Sequence, residues 1–96
     1  MPVYMLFLRE SKVKDAEAMK TYSGMNRSGP PNPRLKPLVV YGEMQAIEGQ
    51  APDGIVLLEF PTEADALAWY NSPAYQAAIP FRQKGADYRA VMVKGL

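Results

Sequence analysis

The chain contains no cysteine and no histidine. Without cysteine there is no disulfide framework and no thiolate nucleophile, a composition that fits a reducing cytoplasm. Without histidine, a Ser-His-Asp triad and a His-ligated zinc or iron site are excluded. Any proton transfer falls to Glu, Asp, Tyr, Lys or water. An excess of one charge is missing too: 11 Lys and Arg stand against 10 Asp and Glu, a net charge of +1. No window is strongly basic, so a nucleic-acid surface is not expected. Long apolar runs are also lacking. The start, MPVYMLFLRE, is apolar only over Val3 to Leu8 and carries no positive leader, so neither a signal peptide nor a membrane span is expected. GxGxxG and Walker patterns are absent and the acidic residues are scattered, so the reading includes no nucleotide, no metal and no other cofactor.

What is present is enough for one small domain over residues 1–96. Val3 to Leu8 reads as a first strand. Asp15 is placed to cap a helix running to about Tyr22. Ser23 to Pro37 is dense in glycine and proline and reads as a long loop. Leu38 to Tyr41 reads as a second strand, with a bulge at Gly42 and a continuation over Met44 to Glu48. Gly49 to Gly54 reads as a hairpin connection into a third strand, Ile55 to Phe60. Thr62, with Asp65 three residues on, caps a helix to about Asn71. Ser72 caps and Pro73 opens the next helix, which Pro80 is expected to kink or end. Tyr88 to Lys94 reads as a fourth strand.

This order, βαββαβ, is the ferredoxin-like α+β arrangement: an antiparallel four-stranded sheet with helices on one face. Such a sheet should be polar on its other face. Yet Tyr4, Leu6 and Leu8 alternate with Val3, Met5 and Phe7, and Ile55 and Leu57 alternate with Val56, Leu58 and Phe60. Two apolar faces with helices for only one imply that a second copy covers the other, giving a homodimer packed through the sheet face.

The run Glu59-Phe60-Pro61, then Ala64, Ala68-Trp69-Tyr70-Asn71-Ser72-Pro73, Tyr75-Gln76, Arg82 and the closing Val91-x-Val93-x-Gly95, resembles the domain of unknown function 1330 family. That family belongs to the dimeric α/β-barrel superfamily. The resemblance implies a ferredoxin-like protomer and a dimer, with no established activity. Wider relatives include cofactor-free monooxygenases, muconolactone isomerases, stress-response barrel proteins and haem-dependent enzymes, which share a pocket between sheet and helices. The haem branch requires an axial histidine that this chain lacks. Members of the family extend the first helix and enter the second strand through Gly-Gly, whereas Ser23 to Pro37 here reads as a proline-rich loop.

Candidate chemistry centres on Glu59, a carboxylate ending an apolar strand and suited to general acid or base work. Its structural alternative is an ion pair. An arginine recurs at the position of Arg82 in the resemblance, and a guanidinium beside an apolar pocket would clamp a carboxylate or pair with Glu59. Tyr75 and Tyr70, with Asn71 between them, are candidates to orient a ligand or to donate a proton to an oxyanion. Tyr4, Tyr22 and Arg34 are candidates to line the same cavity, with Met25 and Asn26 on the loop. Trp69 reads as core. The resulting expectation is a cytoplasmic homodimer that takes a small aromatic or carboxylic metabolite. It acts either as a cofactor-free isomerase, lyase or monooxygenase using Glu59 and Tyr75, or as a non-catalytic, stress-associated binder in which Glu59 and Arg82 are a structural pair.

Overall fold

A computed structural model describes residues 1–29 and 31–96. Pro30, part of the expected loop, lies outside the described residues. The elements run β1 (Val3–Arg9), α1 (Ala16–Ser28), β2 (Lys36–Val40), β3 (Gly54–Phe60), α2 (Glu63–Tyr70), α3 (Pro73–Gly85) and β4 (Tyr88–Lys94). The strands form one antiparallel sheet in the order β2-β3-β1-β4. This is the expected ferredoxin-like α+β arrangement.

β1 sits at the centre and its alternation sets both faces. Val3, Met5 and Phe7 are buried, while Tyr4, Leu6 and Leu8 are only half-buried. Val3 pairs with Phe60 and Met5 with Leu58, so the buried sets of β1 and β3 share the face that the helices cover. Val3, Met5, Phe7, Leu58, Phe60, Ala66 and Tyr75 make one core. The opposite face carries Leu6 beside Leu57 and Val91, and Leu8 beside Ile55. Val91 and Val93 there remain 47% and 48% exposed, so the second apolar face inferred from the sequence is real and uncovered in the protomer.

The caps form where the side chains predict them. Asp15 accepts a hydrogen bond from the Ala18 N–H and Thr62 from the Asp65 N–H. Both carboxyls, Asp15 and Asp65, are held below the ordinary carboxylate value: Asp15 by the Ala18 N–H and Asp65 by the Thr62 hydroxyl. Ser72 accepts from the Tyr75 N–H, with Pro73 in the first turn of α3.

Three expectations require correction. The first helix does not stop at Tyr22 but continues to Ser28. Its packing outweighs the weak helix formers Ser23 and Gly24: a Cβ on Gly85 would overlap Met19, and Tyr22 bonds Tyr75. The connecting loop is correspondingly short. The second strand starts earlier, at Lys36, its irregularity falls between Pro37 and Val39 rather than at Gly42, and Met44 to Glu48 is not a strand. Tyr41, whose N–H still bonds the Ile55 carbonyl at 2.9 Å, takes φ +52 and turns the chain off the sheet. Residues 42–48 then run exposed, without strand pairing. Finally, Pro80 neither ends α3 nor interrupts its assignment. Its ring lies on the exposed side, and the helix is carried by the buried residues Tyr75, Ala78 and Arg82.

Pro80 has no N–H for the Gln76 carbonyl, a defect that a proline inside a helix normally brings at a cost of about 3 kcal/mol. Pro80→Ala should therefore stabilise the protein by about 1–3 kcal/mol, raising its melting temperature by roughly 4 °C or more. An unchanged or lower midpoint in thermal and urea denaturation would show that the Pro80 ring itself contributes to stability.

Candidate functional site

A cavity of about 450 Å³ opens between the sheet and α1. Its floor is apolar, from Phe7, Val56 and Leu58 of the two central strands. Its roof is Tyr22, Ser23, Asn26 and Arg27 of α1. Tyr22 with Asn26, and Ser23 with Arg27, are four residues apart and so share a helix face. A helix face turned toward a sheet is normally apolar. The polar face here is what the late turns of α1 contribute to the site. Arg82 of α3, Tyr88 of β4 and Tyr41 add to the lining, with Leu35, Val40 and Trp69.

Arg82 is the unusual member. It is 5% exposed, and neither its Nε nor its Nη1 has a hydrogen-bond partner among the described residues. Its guanidinium carbon lies 5.2 Å from the centre of the Phe7 ring and 5.4 Å from that of Tyr88. Two aromatic faces thus hold the cation where a carboxylate would ordinarily do so. Ring contacts are worth about 0.5–2 kcal/mol each, less than the several kcal/mol of desolvating an ion. Among the described lining residues none is acidic, and two, Arg27 and Arg82, are cationic.

Tyrosines frame the cation. The Tyr22 and Tyr75 hydroxyls are 2.7 Å apart. Tyr75 is buried against Trp69, ring centres 4.2 Å apart, and its hydroxyl is pushed up by burial and by Tyr22. It therefore stays a neutral donor or acceptor. At the other end the Tyr41 hydroxyl bonds that of Tyr88, and burial together with this bond pushes Tyr41 up likewise. The Tyr41 ring leans over Arg9 and over Gly54, where a Cβ would approach its Cδ1 to 2.8 Å. Only glycine at 54 leaves room for this ring.

The structure brings together some of the candidates from the sequence and separates others. Tyr22 and Arg82 line the cavity, as does Asn26, and Tyr75 meets it through Tyr22. Tyr70 packs on Tyr75 at 5.6 Å and is not a lining residue. Asn71 is the exposed C-cap of α2. Arg34 is exposed and pairs with Asp65 at 2.8 Å, away from the cavity. Tyr4 and Glu59 face each other across the strands on the sheet side opposite the helices. The expected Glu59–Arg82 pair is therefore corrected. Alternation points Glu59 away from α3, and it borders a separate shallow cleft with Arg34 and Lys36. Tyr4 likewise does not reach the cavity. Sequence reasoning missed Phe7, Tyr88, Tyr41 and Arg27. Phe7 was visible as the strand neighbour of Met5 on the buried face; the roof required knowing that α1 runs past Tyr22.

Among the described residues no cluster of three or more acidic side chains could hold a metal ion. Among the described residues no helix is long and apolar enough to cross a membrane.

Comparison with known proteins bears on the fold and the family. The family model described as Domain of unknown function (DUF1330) matches residues 2–96. A protein of unknown function from Rhodopseudomonas palustris superposes with TM-score 0.67 at 22% identity, over 99% of this chain and 82% of that one. A dimeric ferredoxin-like protein of unknown function from Thermobifida fusca superposes with TM-score 0.64 at 16% identity, over 97% and 90% of the two chains. An ethyl tert-butyl ether D family protein from Bacillus halodurans superposes with TM-score 0.67 at 14% identity, over the whole of both chains. No curated protein matches the chain.

A buried cation without an acidic partner among the described residues costs stability. Arg82→Met keeps the apolar stem of the side chain as far as Nε while removing the guanidinium and its charge. The unliganded variant should melt at or above the wild-type temperature, measured by calorimetry. A loss of more than about 2 kcal/mol would instead mark Arg82 as a structural element whose partner is protein.

Proposed function

The chain belongs to the family of the domain of unknown function DUF1330, and we propose that it is a small-molecule-binding homodimer whose ligand is an organic acid with an aromatic or apolar body. The observation that carries this reading is Arg82: a buried guanidinium, stacked between Phe7 and Tyr88, lining the cavity and lacking a protein partner among the described residues. The carboxylate of the ligand meets Arg82, its body lies on Val56 and Leu58, and the Tyr22–Tyr75 hydroxyl pair orients it. Binding is favoured over acid-base catalysis. The described lining residues include no carboxylate and no lysine, and Glu59 stands on the other side of the sheet.

The homodimer rests on the uncovered face around Leu6, Leu57 and Val91, and on the dimeric character of the Thermobifida fusca neighbour and of a second ferredoxin-like neighbour from Bacteroides fragilis. Glu59 and its cross-strand neighbour Lys36 then sit toward the edge of the buried face.

Two experiments test these statements. Benzoate and phenylacetate at millimolar concentration should raise the melting temperature of the wild type and leave Arg82→Met unmoved. A ligand at a hundred times its dissociation constant adds about 2.7 kcal/mol. Equal shifts in both proteins, or none in the wild type with any carboxylate of a broader panel, would remove the organic acid from the proposal. For assembly, light scattering behind a sizing column should give about twice the 10.7 kDa chain mass. Leu57→Glu should shift the protein to monomer while its circular dichroism stays folded. A wild type that elutes as monomer at tens of micromolar would refute the dimer.

A further inference from the structure

Resting on the binding reading above, we infer that the ligand carries two anionic groups: it is a compact dicarboxylate, one carboxylate on Arg82 at the inner end of the cavity and the other on Arg27 at the end of α1. The distribution of ion pairs carries this. Arg34 and Arg89 have carboxylate partners, Asp65 and Glu10, and Lys14, Lys84 and Lys94 are likewise paired, while Lys12, Lys20 and Lys36 have no carboxylate partner among the described residues and are exposed away from the cavity. Arg9 is held by the Asp53 carbonyl at 3.0 Å. Arg27 and Arg82 are the two arginines without a carboxylate or carbonyl partner among the described residues, and both line this cavity.

The neutral polar groups agree with two anions rather than one. Ser23 and Asn26 lie on the same face of α1 as Arg27 and line the cavity beside it. A ligand with a single carboxylate on Arg82 would leave this polar face over the apolar end of its body, and amide and hydroxyl groups there would lose water without a partner. A second carboxylate accepts from Arg27, Asn26 and Ser23 together. The cavity, about 450 Å³, lies within the range of small-molecule sites.

The test is titration calorimetry on the whole chain at fixed ionic strength. It compares benzoate with the three benzene dicarboxylates, against wild type, Arg27→Gln and Arg82→Met. Ionic strength is fixed because exposed Arg27 is screened by salt. At least one dicarboxylate should bind the wild type about tenfold or more tightly than benzoate. Arg27→Gln should abolish that preference, so that the dicarboxylate binds the variant no more tightly than benzoate binds the same variant, and Arg82→Met should abolish binding of both classes. A dicarboxylate preference that survives Arg27→Gln, or no preference at all while benzoate binds, overturns this inference and leaves the organic-acid reading standing. No binding of any of the four acids to the wild type overturns both.

Discussion

The alternation of side chains along β1 is the constraint on which the rest depends. β1 is hydrogen-bonded on both sides, to β3 and to β4, so its register sets the rows that cross the sheet. One row, Phe7 with Val56 and Ala90, belongs to the helix side; the next, Leu6 with Leu57 and Val91, belongs to the other side. A slip of one residue would exchange the two faces completely. The burial of Phe60 and Leu58 under the helices holds the register, and every functional statement about this protein inherits it.

Where short-range chemistry decides, the fold was legible in the sequence. Thr62 and Ser72-Pro73 are helix starts because their own side chains and ring satisfy or remove the orphan N–H groups of a first turn, which needs no knowledge of the tertiary structure. The strands of the centre were equally plain, since a two-sided apolar run has few other interpretations. The misreadings fall where long-range packing overrides local preference. Ser23 and Gly24 weaken a helix by well under 2 kcal/mol together. The contact of α1 with α3 outweighs that, but it joins residues far apart in sequence. Met44 to Glu48 reads as a continuation of the strand, yet the left-handed turn at Tyr41 carries it away from its partner. Pro80 was read from its missing N–H alone, without the packing that keeps the rest of α3 in place.

The candidate site divides in the same way. Arg82, Tyr22 and Tyr75 were chosen for their chemistry and do converge. The alternative of a Glu59–Arg82 ion pair fails because a carboxylate and a guanidinium can both suit a pocket chemically and still stand on opposite sides of the sheet. The parity that put Glu59 with Ile55 and Leu57 already held the answer, once the helices were placed over Leu58 and Phe60. Tyr88 and Arg27 carried no such signal. Tyr88 opens a strand whose neighbour is set only by the sheet order, and Arg27 sat in a stretch assigned to loop.

Two features that run against the stability of the protein line the cavity. Tyr41 holds a left-handed backbone that bulky residues avoid at a cost of about 1–2 kcal/mol. Arg82 is a buried cation answered only by ring faces. Pro80 apart, local and tertiary preferences agree elsewhere: caps are filled, apolar rows are matched, and Lys14, Arg34, Lys84, Arg89 and Lys94 find carboxylates. Natural sequences break such agreement chiefly where function requires it. Tyr41 connects the two strained features, because its hydroxyl bonds Tyr88 and the Tyr88 ring in turn backs Arg82. The left-handed turn that misdirects β2 is thus the same event that places a wall behind the cation. An anion on Arg82 would supply the missing counter-charge and stabilise the whole arrangement from within the cavity, which gives the ligand its thermodynamic coupling to the fold.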